Sequence, residues 1–263
     1  SRDRARLRES LRRGDVGGFD DFGNCYASLE ELWRAQRQER AAFYEANDAW
    51  WADGGYNGST DEAAMIGDDE SATDVEDSLR FLEGLFTRHA GLGKAAALDA
   101  GAGVGRVTRQ VLLRHYKTVH LVEACQHWSK QSRRYLGSQR KACTFTTARL
   151  EAFEPKPKAY DLIWVQWCLQ YLIDDDVVFT LKNLSAGLTT NGLLVLKENR
   201  PYLPGTNQEL FQMDTPAGEN QRFDITRPDA HHRKLFARAG LRELECERGE
   251  ETNYWVLKGG RPK

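Results

Sequence analysis

Apolar positions along this chain change their spacing near residue 95. Before it they recur at helical intervals, and after it they form short runs separated by amphipathic stretches. Leu29, Leu32 and Trp33 begin a stripe behind Ser28-Leu-Glu-Glu31. There a serine cap and an acid three residues on satisfy the first free amides of a helix. The stripe predicts one helix reaching the aromatic cluster Phe43, Tyr44, Trp50 and Trp51. A second such box, Thr73-Asp-Val-Glu76, precedes Val75, Leu79, Leu82 and Phe86 and predicts a helix opening there. Between them, residues 53–72 are rich in acids and glycines around the island Met65-Ile66 and read as a loop.

From residue 95 the candidate strands are 95–100, 118–123, 142–147, 159–165, 192–198, 241–247 and 252–258, with a helix near 228–239. Strands alternating with helices predict an α/β chain: a doubly wound, mostly parallel seven-stranded sheet covered on both faces. The break near 75 divides the chain into an N-terminal helical and loop extension, 1–75, and a sheet domain, 76–263. One strand ends oddly. DLIWVQWCLQYL, Asp161 to Leu172, starts as core and then presents Gln166, Trp167 and Cys168.

Composition narrows the function classes. Charged residues make up 29 % with a net charge of −2, so no global field points to nucleic acid or membrane. The arginine-rich start, from Arg2 to Arg13, reads as a solvated helix or tail. No apolar run approaches the ~20 residues of a membrane-spanning helix, and no secretory leader is expected. Five cysteines (25, 125, 143, 168 and 246) form no CxxC pair. Reduced thiols in a cytoplasmic or nuclear protein, without zinc or another metal, are the expectation.

The most informative segment is ALDAGAGVGR, Ala97 to Arg106. A buried strand ends at Asp99, and Gly101, Gly103 and Gly105 then turn the chain tightly into a helix, where a ligand can approach the backbone. A nicotinamide fingerprint would place its third glycine one residue later, where this chain has Arg106. The next strand ends LVEA, and Glu123 there suits the two hydroxyls of a ribose in either cofactor class.

LDAGAGVGR followed by LVEA resembles the glycine motif and ribose acid of class I S-adenosylmethionine-dependent methyltransferases, which have a Rossmann-like fold. With FEPKPKAYDLIWVQWCLQYL, LTTNGLLVLKEN and ITRPDAHHRKLFARAGL, the chain resembles more specifically the α-N-terminal protein methyltransferases. The resemblance covers most of 97–240, and matches the extension more loosely at Trp50-Trp51 and Met65-Ile66-Gly67. It implies S-adenosylmethionine as cofactor, leaving as S-adenosylhomocysteine, held by Gly101, Gly103, Arg106, Glu123, Ala124, Leu150 and Gln166. It also implies that Trp51, Ile66, Gly67, Trp167 and Asn199 meet the substrate, the free α-amino group of a protein N-terminus of X-Pro-Lys/Arg type.

A cationic sulfonium and an amine both gain from the aromatic face of Trp167, which gives the strand end its reason. Asn199 can accept a hydrogen bond from the amine through its amide oxygen. The chain departs from the family where proton handling is expected. Tyr171 stands in place of a histidine and Arg222 in place of an aspartate, with Asp224 close behind. Residues 200–222 also run longer than the family pattern. Asp224 and Tyr171 are therefore both candidates for the base, with Asp224 placed on the loop before Ile225-Thr226-Arg227. A monomer acting on protein N-termini, without nucleic acid or membrane, is expected. The alternatives are a small-molecule N- or O-methyltransferase on the same fold and a non-catalytic methyltransferase-like binding protein.

Overall fold

The structure is a computed structural model and describes residues 5–6, 8–9, 12–56, 58–67, 71–201, 209–215, 222–249 and 251–260. Within them the chain runs β1 (Gly18–Asp20), β2 (Cys25–Tyr26), helices Leu29–Gln38, Arg40–Ala52, Ala63–Ile66 and Ser71–Arg88, then β3 (Ala96–Ala100). There follow helix Arg106–Gln110, β4 (Thr118–Glu123), helix Gln126–Tyr135, β5 (Cys143–Thr147), β6 (Tyr160–Gln166), helix Asp174–Ala186 and β7 (Leu188–Asn199). The last elements are β8 (Phe211–Asp214), β9 (Asp224–Thr226), helix Asp229–Arg238, β10 (Leu241–Arg248) and β11 (Thr252–Gly259).

The large sheet has seven strands in the order β10-β11-β7-β6-β3-β4-β5. β3, β4, β5, β6 and β7 are parallel, and the hairpin β10–β11 closes the other edge in antiparallel pairing. Buried on both faces, the central strands carry continuous apolar runs: Leu162, Ile163, Trp164 and Val165 on β6 are fully buried. The chain order reverses between β3, whose neighbours are β4 on one side and β6 on the other. Ligands of open parallel sheets bind outside the carboxyl ends of the strands at such a switch point.

A second sheet, β2-β1-β8-β9, joins the extension to the far half of the chain. Gly18 pairs with Phe211, and Asp224 with Asp214. Val16, Leu29, Leu32 and Phe43 share a core with Ile173, Phe211, Met213, Phe223 and Ile225.

Four local expectations are corrected. The stripe from Leu29 forms two helices, Leu29–Gln38 and Arg40–Ala52, broken at Glu39, rather than one. The Ser28 cap holds, its side chain accepting from the Glu31 amide. The second helix starts at Ser71, not after Thr73, so Asp74 lies inside its first turn and is buried. The loop 53–72 contains the short helix Ala63–Ile66. Asp224 lies on β9 rather than on a loop. Arg2, Arg4 and much of 200–222 fall outside the described residues.

Candidate active site

The pocket opens at the carboxyl ends of β3, β4 and β6. Gly101, Gly103, Arg106, Glu123, Ala124, Leu150 and Gln166 line it together with Trp51, Trp167 and Tyr171. At Gly101 φ is +77° and at Gly103 it is +54°, a region that glycine visits freely. A Cβ on Gly101 would stand 2.7 Å from the Cys168 side chain, and one on Gly103 would stand 2.5 Å from the Met65 sulfur.

At one end of the pocket is Glu123, half-buried at the end of β4. Its carboxylate accepts from the Gly103 amide at 2.8 Å and the Cys125 amide at 2.7 Å. Burial and the neighbouring Asp99 raise its pKa, against those amides. Two backbone donors fix both oxygens toward the glycine turn, and each oxygen retains acceptor capacity for a ligand hydroxyl.

Arg106 and Gln166 form the floor, and behind them lies a buried charged cluster whose other members, Asp74 and Lys197, the sequence did not announce. Asp74 accepts from Arg106, Lys197 and Gln166, all of them buried. Burial alone would raise the Asp74 carboxyl, but Arg106 and Lys197 together hold it below its ordinary range. Lys197 also donates to Ser78 at 3.2 Å and faces the rings of Trp167 and Tyr254 at 5.1 and 4.7 Å. Two cations against one carboxylate leave a surplus positive charge in a site screened from water, which favours an anionic ligand group beside Arg106. Gln166 completes the floor by accepting from the Trp164 indole at 2.9 Å.

The mouth is aromatic. Trp51, from helix Arg40–Ala52, meets Tyr171 edge-on at 5.4 Å, and its carbonyl accepts from the Trp128 indole at 3.0 Å. Trp167 has φ of 50°, in the left-handed region. For a bulky L residue that conformation costs on the order of 1–2 kcal/mol, which the surroundings must offset. The extension reaches the pocket: Asn47, Asp48, Trp51 and Met65 all line it. Asp48 is tied to Arg149 at 2.7 Å through both oxygens, and Arg149 also pairs with Glu151. Asn47 joins Phe223 N at 2.8 Å to the wall formed by Tyr171.

Four expected site residues stand elsewhere. Ile66 and Gly67 end the short helix and do not line the pocket, whereas their neighbour Met65 does. Asn199 ends β7, opposite Thr252, also off the lining. Asp224 lies behind Tyr171, buried, with its carboxylate on Gln170 at 3.1 Å and Arg222 at 3.3 Å. Burial pushes its pKa up to about 6, opposed by Arg222. The Arg222 guanidinium sits among the rings of Trp50, Tyr56 and Tyr171, at 4.5, 5.3 and 5.9 Å. Burial also drives the Tyr171 phenol well above its ordinary value.

Asn47, Met65, Asp74, Arg149 and Lys197 were missed. The one signal for Asp74 was an acid on the apolar face of its helix, beside Val75 and Ser78. Among the described residues no group of three or more His, Cys, Asp or Glu side chains could hold a metal ion.

A family model described as AdoMet dependent proline di-methyltransferase matches residues 39–253. N-terminal Xaa-Pro-Lys N-methyltransferase 1 of Danio rerio is 34 % identical over 176 residues, which span 63 % of this chain and 74 % of that protein. Alpha N-terminal protein methyltransferase 1 of Oryza sativa subsp. indica is 33 % identical over 271 residues, covering 86 % and 84 %. Among solved structures, a SAM-dependent methyltransferase from Leishmania major superposes with a TM-score of 0.79 at 27 % identity, covering 93 % of this chain and 96 % of that one.

Proposed function

The chain belongs to the family of AdoMet-dependent proline di-methyltransferases, and from that premise we propose that it methylates the free α-amino group of protein N-termini of X-Pro-Lys/Arg type. It is an S-adenosylmethionine-dependent enzyme. The observation that carries the reading is one pocket in which the glycine turn, Glu123, Arg106 and Gln166 meet the aromatic mouth of Trp51, Trp167 and Tyr171, with Asp74 and Lys197 bonded behind Arg106 and Gln166. The residues fit the cofactor: Glu123 suits the ribose hydroxyls, the glycines admit its backbone-close approach, and the surplus charge beside Arg106 suits the methionine carboxylate. When bound, the cofactor supplies an electrophilic methyl group on a sulfonium.

The protein's own residues do the rest. The aromatic mouth excludes water and offers ring faces to a cationic or amine centre. An α-amine with a pKa of ~7.7–8.0 is partly neutral at working pH, so a modest proton acceptor suffices. Asp224 is a buried carboxylate bonded to Gln170 and Arg222 and acting on Tyr171, and it is assigned that role through the Gln170–Arg222 layer.

Residues 1–75 act as the substrate lid over the sheet domain of 76–263, with Asn47, Asp48, Trp51 and Met65 reaching the pocket. The five free cysteines support a reducing compartment, cytoplasm or nucleus. Methyl transfer from labelled S-adenosylmethionine to a peptide with a free X-Pro-Lys N-terminus, against the same peptide acetylated, tests the reading. Turnover of the free peptide alone is expected, and equal labelling of both would overturn it.

A further inference from the structure

We propose that Glu198 is a positioning residue for methyl transfer, whose carboxylate holds Trp167 in the backbone conformation that turns its indole into the pocket; this takes Trp167 to face the substrate, as in the function proposed above. Trp167 and Lys158 are the non-glycine residues with positive φ among those described. Its amide still belongs to the sheet, donating to the Lys197 carbonyl at 3.0 Å. The next two amides leave the ladder as the short turn Leu169–Tyr171 begins.

Both of those amides converge on one oxygen of Glu198, from Cys168 at 3.2 Å and from Leu169 at 2.9 Å. Glu198 is 3 % exposed and lies on β7, the strand beside β6. Buried amides without partners are rare, so a side chain here takes over where the strand pairing of Gln166 with Lys197 ends.

The choice of residue at the bend supports a function for the ring. Glycine or asparagine would adopt this φ with little strain, yet the chain has a tryptophan there and fixes the backbone from outside. Glu198 is shifted up to about 8 by burial, against the Leu169 amide and Arg227, with Asp224 adding to the rise. A neutral carboxyl and a carboxylate both offer an oxygen that accepts the two amides, so acceptor geometry rather than charge sets the role.

The test compares Glu198→Gln, which keeps an acceptor oxygen at that place, with Glu198→Leu, which removes it. Peptide kcat and KM, cofactor affinity by calorimetry, and the indole resonance of Trp167, assigned with Trp167→Phe, are measured on the full chain. E198L is expected to lower peptide kcat/KM at least tenfold, to move the indole resonance and to change cofactor affinity less than threefold. E198Q should keep kcat/KM within threefold and the resonance in place. E198Q as impaired as E198L, or E198L with an unmoved resonance and full kcat/KM, would overturn the proposal. Should E198L not fold, E198Q decides alone, since a tenfold loss there overturns it. A wild-type chain that leaves every peptide unmethylated defeats the functional reading, while the indole comparison still stands.

Discussion

Nε2 of Gln166 lies 2.9 and 3.0 Å from the two carboxylate oxygens of Asp74, so the end of β6 is fixed by the helix Ser71–Arg88, which spans the expected boundary near 75. The same carboxylate holds Arg106 and Lys197. Removing one partner from a buried charge cluster leaves the others unpaired, at a cost of about 3–5 kcal/mol. Asp74→Ala should therefore lower the melting temperature and weaken cofactor binding together. The sign of the pH effect follows from the depressed carboxyl. Its contribution to stability is complete above the ordinary value of 3.8 and is lost as pH falls through the lower folded pKa. Denaturation curves from pH 2 to 7 should show an acid limb that is shallower in Asp74→Asn.

The cofactor end makes a sharper prediction. Gly103→Val places a side chain where the Met65 sulfur already lies 2.5 Å from a Cβ and where φ is +54°. Binding of S-adenosylmethionine should be abolished. Glu123→Ala should weaken it by about 1–3 kcal/mol, the loss of charge-assisted hydrogen bonds to the ribose. Unchanged calorimetric affinity in both variants would remove the cofactor from this pocket.

The fold of the large sheet was legible because its central strands β3, β4 and β6 carry short apolar runs that end in a glycine turn, an acid or a polar residue. β3 and β6 were placed to within a residue at each end. The small sheet was not legible, since β1 has three residues and β2 two, and Gly18 finds its partner at Phe211. Such pairing leaves no periodicity to read. The glycine turn, Glu123 and Gln166 could be placed from spacing because one strand end supplies each. Asp74 could not, because the helix starts three residues earlier than its capping pattern suggested, which puts Asp74 inside the first turn and buried. Ile66 and Gly67 were chosen one and two residues beyond the side chain that reaches the pocket, Met65. On a helix of four residues a shift of one position changes the face presented.

The lid is tested by a point change rather than by truncation. Deleting residues 1–70 would strip Leu29, Leu32 and Phe43 from Phe211, Phe223 and Ile225, exposing a core face. Trp51→Ala leaves that core intact and removes the edge contact with Tyr171. Peptide kcat/KM should fall at least tenfold while the melting temperature shifts by a few degrees at most. Full activity in Trp51→Ala would take the lid role from this residue.

Proton handling gives the last prediction. Tyr171 lines the pocket, but burial lifts its phenol well above its ordinary value, so it is a poor base near neutrality. Asp224 stands behind it with a carboxyl pushed up to about 6 by burial. A general base acts when deprotonated, so kcat should fall as pH drops through about 6 and Asp224 takes up its proton. This limb is separate from the rise in KM set by the amine's own ionisation at ~7.7–8.0. Loss of a general base typically costs ~10²–10⁴ in rate. Asp224→Asn should cut kcat at least tenfold and erase the limb near pH 6, whereas Tyr171→Phe should keep the limb and lose far less. If Tyr171→Phe is instead the inactive variant and Asp224→Asn retains the limb, the proton passes through the phenol, and Asp224 serves to hold Arg222 among the rings of Trp50, Tyr56 and Tyr171.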